Sequence, residues 1–301
     1  MDYPDRAQVS ADILEIGRRL EAHGYVVAND GNISCLIGPD RVLSTPTGVS
    51  KGRMQEDMLV ETDLEGSVIR AGTKAPSSEI RMHLRVYQEN PELGAVVHAH
   101  PVTATCFAAA GICLDEPILT EAVTAVGSIP VARFAVPGTR EVPDSVAPFC
   151  RQYNGALLAN HGVITWAPQL ELAFFRMEWV EMYAQATLIT RYLMGRSNWL
   201  SGTETQPIEE IRRRMGIRLG GEPVYAADSP NVEDVLPRAG LVTPEAADPR
   251  TQALLDGVEK LLRQSEERLE RLSARIARQA AAQAADMLRR ERGAADGGEI
   301  R

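Results

Sequence analysis

The chain has 301 residues, 44% of them hydrophobic, and a formal net charge of −9. That length supports one core of roughly 200 residues plus an appendage, and the acidic balance disfavours a general nucleic-acid binder, because phosphate backbones repel such a surface. No run approaches the roughly 20 apolar residues of a membrane span, MDYPDRAQVSAD lacks the pattern of a signal peptide, and Cys35, Cys106, Cys113 and Cys150 show no CxxC spacing, so a cytoplasmic protein with reduced thiols is expected.

Residues 10–23 read as a helix with Ser10 as N-cap, an apolar face of Ile13, Leu14, Ile16 and Leu20, and Gly24 as the stop. From Tyr25 to Leu64, short apolar runs (YVVA, ISCLI, RVLST, MLVETD) alternate with turn clusters, the pattern of antiparallel strands joined by polar loops. Ile80, Leu84 and Tyr87 recur at helical spacing in Ser78 to Glu89, ahead of Asn90-Pro91. AVVHAH follows as a buried strand stopped by Pro101, then a helix around 101–110, a weaker stretch to Ile129-Pro130-Val131, and a second continuous apolar strand, GALLAN (155–160). Residues 169–195 read as a long amphipathic helix.

The composition changes near residue 217. Residues 217–250, rich in Gly, Pro, Ala and acids, read as a linker after a domain of residues 1–216. Leu255, Val258, Leu262, Leu269, Leu272 and Ile276 then recur every three or four residues, giving an amphipathic, coiled-coil or docking helix over 251–292 and a frayed tail over 293–301.

Chemistry concentrates in a few residues. His98 and His100 form an HxH pair inside an apolar strand, and side chains two apart on a strand share a face, so both imidazoles can point at one ion. His161 follows GALLAN directly, at a strand end, where open sheets keep their sites. Three neutral imidazoles with a vacant position describe a catalytic zinc centre; manganese, iron or cobalt also suit imidazole ligation. His23 and His83 lack such a context and read as packing or surface residues. Glu79 opens a helix within Ser77-Ser78-Glu79, where hydroxyls and unpaired N–H groups make an anion site. Gly31-Asn32-Ile33-Ser34 and Thr45-Pro46-Thr47-Gly48 supply further neutral donors for a phosphate.

GNIS (31–34), TPTG (45–48), SSE (77–79), AVVHAHP (95–101) and LLANHG (157–162) resemble, in order and spacing, the class II aldolase/adducin family, most closely its L-fuculose-phosphate aldolase branch, over about residues 8–195. The resemblance implies an α/β fold, a three-layer α/β/α sandwich around a mixed, largely antiparallel sheet, with the C-terminal helical extension as a departure. It implies a homotetramer acting on a small phosphorylated sugar. It also implies that His98, His100, His161 and, at rest, Glu79 bind Zn2+, that Glu79 becomes the acid/base group, and that Asn32, Thr47, Gly48, Ser77 and Ser78 bind phosphate. The expected activity is cleavage of a ketose 1-phosphate through a metal-stabilised enediolate to dihydroxyacetone phosphate and an aldehyde. Where the aldolase has a tyrosine acid, an ungapped count places Glu121, which keeps pentulose-phosphate 4-epimerase and sugar-acid-phosphate decarboxylase open. An adducin-like interaction module is the alternative of another class, and an intact metal set argues against it.

Overall fold

The computed structural model of the protein describes residues 3–217. The expected linker beyond Ile217, the 251–292 helix and the 293–301 tail lie outside them. In chain order the elements are α1 (Arg6–Ala22), β1 (Asn32–Gly38), β2 (Arg41–Ser44), β3 (Val60–Thr62), β4 (Val68–Arg70), α2 (Ile80–Glu89), β5 (Ala95–Ala99), α3 (Val102–Ala110), β6 (Val131–Ala132), α4 (Glu141–Val146), β7 (Gly155–Leu158), β8 (Gly162–Ala167), α5 (Leu170–Thr187) and α6 (Gly202–Arg214). Among the described residues the strands form one sheet of order β4-β3-β2-β1-β5-β8-β7-β6. Every pairing is antiparallel except β6 with β7, so the sheet is mixed and largely antiparallel, as the sequence implied.

The strands carry apolar residues at successive positions because both faces are covered, and alternate side chains enter different cores. Ile33, Val97, Leu157 and Val163 pack with α1, α3 and α5 on one face, whereas Leu36, Val96, Ala156, Ile164 and Trp166 pack with α2 and α4 on the other. Each fully buried aliphatic side chain contributes roughly 1.5–3 kcal/mol, which makes a one-residue slip of register costly. That register sets His98 of β5 opposite Asn32 of β1 on one side and Ile164 of β8 on the other. By the alternation, Asn32, Ser34, Val96 and His98 share the face that α2 covers.

Several local expectations are corrected. The first helix starts at Arg6, because the Asp5 carboxylate accepts from the N–H groups of Ala7 and Gln8; Ser10 is buried inside the helix, its hydroxyl donating back to Arg6 O at 2.9 Å. YVVA is not a strand: Ala28 takes a left-handed φ of 56°, and the segment meets the end of the interior strand β5 through His100 N to Tyr25 O at 2.8 Å. The strand in GALLAN ends at Leu158, since Asn160, at φ 58°, turns the chain back. GVITWA, read as no element from sequence, is the fully buried β8, and the exposed VIR is β4. The helix expected over 169–195 is α5 followed by a π-helical turn, Leu188–Leu193. The sequence reading also passed over α6, whose start bears a Ser201/Glu204 capping box.

Candidate metal centre and adjoining cavity

Three histidines meet where β5, β8 and the β7–β8 turn end together. Their rings lie 4.8–5.0 Å apart, centroid to centroid, and the candidate ligand nitrogens of His98, His100 and His161 all lie within 4.8 Å of one another. His98 is fully buried, and its Nδ1–H donates to Val163 O at 2.8 Å, so Nε2 is left as the lone-pair nitrogen facing the cluster. His98 Nε2 and His100 Nε2 stand 3.1 Å apart. Burial, and then the charges His100 and His161 would carry, hold the His98 imidazole well below its usual pKa; burial lowers that of His100, with Asp30 and Glu79 opposing. The neutral, ligating forms of His98 and His100 are therefore favoured. A tetrahedral ion with bonds of about 2.0–2.1 Å separates its ligand nitrogens by roughly 3.3 Å, so the cluster fits a divalent metal ion.

Two glycines permit this convergence. A Cβ on Gly162 would lie 2.4 Å from His100 Cδ2, and one on Gly31 would lie 2.9 Å from His98 O, with Gly31 also at φ 76°. On the far side of β5, the Glu181 carboxylate of α5 accepts from Thr103 N and Ala104 N at 3.1 and 2.9 Å. It thereby caps α3 and anchors the chain just past the HxH pair.

Glu79 stands at the start of α2 and faces the imidazoles. Its Oε1 is 3.3 Å from His161 Nε2, its Oε2 is 3.6 Å from His98 Nε2, and Asn32 Nδ2 donates to Oε2 at 2.8 Å. A cavity of about 210 Å³ opens in front of this group, lined by Asn32, Thr47, Gly48, Ser77, Ser78 and Glu79 together with His100, His161 and the Asn29–Gly31 turn. The loops meet because Thr47 N donates to Ala75 O at 2.9 Å and Pro46 bridges Pro76. Ser77 Oγ accepts from Glu79 N at 3.3 Å, and Gly48 takes a φ of 69°, which points its loop backbone around a turn that side-chain-bearing residues rarely make. The cavity thus offers hydroxyls and amides at one end and a carboxylate beside three imidazoles at the other.

The family described as Class II Aldolase and Adducin N-terminal domain matches residues 11–188. The chain belongs to that family. It is 32% identical over 186 residues to a methylthioribulose-1-phosphate dehydratase of Acidiphilium cryptum, covering 58% of this chain and 87% of the relative. It is likewise 32% identical to a 3-oxo-tetronate 4-phosphate decarboxylase of Haemophilus influenzae, over 65% of this chain and 94% of that one. Among solved structures, an L-fuculose 1-phosphate aldolase superposes with a TM-score of 0.64 at 27% identity, covering 69% of this chain and 98% of that chain. Three different reactions therefore stand at similar distance from this class II aldolase/adducin domain.

Of the residues singled out from sequence, His98, His100, His161, Glu79, Asn32, Thr47, Gly48, Ser77 and Ser78 come together at this place. Glu121 does not: it is exposed at the start of a π-helical turn, Ala122–Val126, and is absent from the cavity lining. Two buried residues adjoin the site: His83, read from sequence as a packing or surface residue, and Lys51, which the sequence did not single out. His83 lies one turn beyond Glu79 and is fully buried, with Nδ1 2.8 Å from Ser34 Oγ, which is itself 2.7 Å from Tyr87 OH. Lys51 is 1% exposed and donates from Nζ to Asn29 O and Val49 O at 2.9 and 2.7 Å. Helical spacing from Glu79 signalled the first; no local pattern signals the second.

Proposed function

We propose that this protein is a divalent-metal lyase, with zinc at His98, His100 and His161, that cleaves a small ketose 1-phosphate between the carbon next to its carbonyl and the following hydroxyl-bearing carbon. The reading is carried by one observation: a carboxylate, Glu79, held by Asn32 at 2.8 Å and facing His161 Nε2 at 3.3 Å and His98 Nε2 at 3.6 Å. When bound, the ion supplies Lewis-acid stabilisation of negative charge developing on substrate oxygens. Glu79 serves as a metal ligand at rest and as the acid/base group in turnover. In cleavage the carbon–carbon bond breaks, its electron pair stays on the carbon beside the carbonyl, and the hydroxyl on the departing carbon gives its proton to solvent water as that carbon becomes an aldehyde. Glu79, having taken up a proton from solvent, delivers it to the carbon beside the carbonyl. Asn32, Thr47, Gly48, Ser77 and Ser78 hold the phosphate by hydroxyl, amide and backbone donors, which fixes the reacting carbon against Glu79. The names of the relatives, each a phosphorylated sugar or sugar-acid enzyme, support the substrate class.

A second reading is decarboxylation of a sugar-acid phosphate. The observation favouring it is the place of Glu121, outside the cavity of the single chain: loss of carbon dioxide forms no aldehyde and so leaves no hydroxyl proton for a second acid/base group to take. The test is to load the purified protein with zinc and incubate it separately with fuculose 1-phosphate, methylthioribulose 1-phosphate, 3-oxo-tetronate 4-phosphate and ribulose 5-phosphate. Release of an aldehyde from the first, lost on His98→Ala, is the expected result. Release of carbon dioxide from the third alone establishes the second reading, and inertness toward all four with no metal bound returns the protein to the interaction-module class.

A further inference from the structure

Nothing that lines the cavity among the described residues is a lysine or arginine, and two of its lining residues, Asp30 and Glu79, are acids. A divalent ion at the histidines would offset these two acids, but a dianionic phosphate would still find no cationic side chain among the lining residues. Directly behind the lining, however, is the buried ammonium of Lys51. It reaches across from the residues that follow the TPTG loop to take Asn29 O at 2.9 Å and Val49 O at 2.7 Å. Asn29 belongs to the turn that leads into GNIS and lines the cavity, and Val49 follows Gly48. One side chain therefore ties together the two loops that supply the donors.

The position is built rather than incidental. The Lys51 backbone packs on α1 at Gly17, where a Cβ would come within 2.5 Å of Lys51 O. Next to it, Ser50 Oγ donates to Glu21 of α1. An ammonium carries three N–H groups, and among the described residues Lys51 uses two, both on neutral carbonyls, with no carboxylate in ion-pair contact. A buried cation in that state carries an unrecovered desolvation cost, seen in the fall of its pKa to about 8, caused first by burial and only partly opposed by the more distant Asp30 and Glu79.

We propose that Lys51 is a positioning residue for the phosphate of the substrate: it clamps the Asn29–Asn32 and Thr45–Val49 loops together, and its buried charge is balanced by the anion that those loops bind. The inference rests on the sugar-phosphate reading above and goes beyond it by assigning phosphate affinity to a residue that does not line the cavity.

The experiment uses the full chain loaded with zinc and inorganic phosphate as the probe, by isothermal titration calorimetry, on the wild type, Lys51→Met and Lys51→Gln. Metal content and melting midpoint are measured on each. The expected result is that both variants keep wild-type metal stoichiometry and bind phosphate on the order of 10–100-fold more weakly, the range for residues that orient a site from behind. A lysine that only stabilised the fold would lower the melting midpoint and leave phosphate affinity unchanged, so wild-type affinity in either folded variant overturns the inference. If Lys51→Met does not fold, Lys51→Gln, which keeps an amide donor without charge, decides alone. Loss of metal in parallel with phosphate also overturns it, since Lys51 would then act on the metal centre. Absence of phosphate binding by the wild type removes the sugar-phosphate reading and this inference together, whereas binding by wild type and variants alike removes only the role of Lys51.

Discussion

Replacing Gly162 with alanine would put a methyl group 2.4 Å from His100 Cδ2 and 2.8 Å from Ala99 O. Carbon atoms in contact sit about 3.5–4.0 Å apart, so the His100 ring must retreat by roughly 1 Å or β8 must part from β5. Overpacking of this kind costs about 1–3 kcal/mol, or about 2–12 °C of melting temperature at roughly 2–4 °C per kcal/mol for a domain of this size. The His100 nitrogen now stands 3.1 Å from that of His98, and a ring moved by about 1 Å no longer shares an ion with it on good geometry. A loss of zinc affinity on the order of 10–100-fold is therefore expected. Gly155→Ala is the matched control. Its methyl would lie 2.6 Å from Ile164 O, at the opposite end of the same strand pair. Zinc affinity by competition with a chromogenic chelator, alongside thermal melts, separates the two. The control should lose stability and keep zinc; equal zinc affinity in Gly162→Ala and wild type would refute the geometric reasoning.

Three further outcomes follow from the same contacts. Glu79→Gln should hold zinc and inorganic phosphate yet lose turnover by about 10²–10⁴-fold, because an amide accepts no proton; steady-state rates near wild type would remove Glu79 from the chemistry. Chelation should lower the melting midpoint by about 5–11 °C relative to protein held at 100 times its zinc dissociation constant, which is about 2.7 kcal/mol of linkage, and His98→Ala should show no such difference. His83 carries a pH signature: burial, and then the charge His98 would carry, push its imidazole down to about 3, against about 6.5 in the unfolded chain. Its contribution is thus fully present above pH 6.5 and is lost as pH falls toward 3, because the unfolded state binds the proton first. In metal-free protein the slope of stability against pH in that window should fall by up to about 1.4 kcal/mol per pH unit in His83→Gln; an unchanged slope in urea titrations counts against a neutral buried imidazole.

The shared face of the HxH pair was legible from the two-residue period of a strand, and the apolar runs of β1, β5 and β7 from their continuity between Asn, Gly and Pro punctuation. Helix starts were less so. The cap of α1 fell to Asp5 rather than Ser10 because two backbone N–H groups reach the Asp5 carboxylate, while the Ser10 hydroxyl is used inside the helix. GVITWA was passed over although it is a continuous buried run of the same kind as β5 and β7, with one face of β8 joining the α5 core and the other the α2 core. VIR in β4 was too short and too exposed to register.

By itself the sequence determined that two histidines share a strand face, that a third stands at a strand end and that an acid opens a helix, since each statement needs only neighbours along the chain. Only the tertiary structure decided that these groups meet, that Glu121 does not join them in the single chain and that His83 and Lys51 lie buried behind them. Antiparallel pairing of β5 with β8 and with β1 sets residues 98, 161 and 32 side by side across more than 120 positions of chain. A lysine's burial likewise depends on which carbonyls arrive beside it, and Asn29 O and Val49 O arrive from two loops that only the folded sheet brings together.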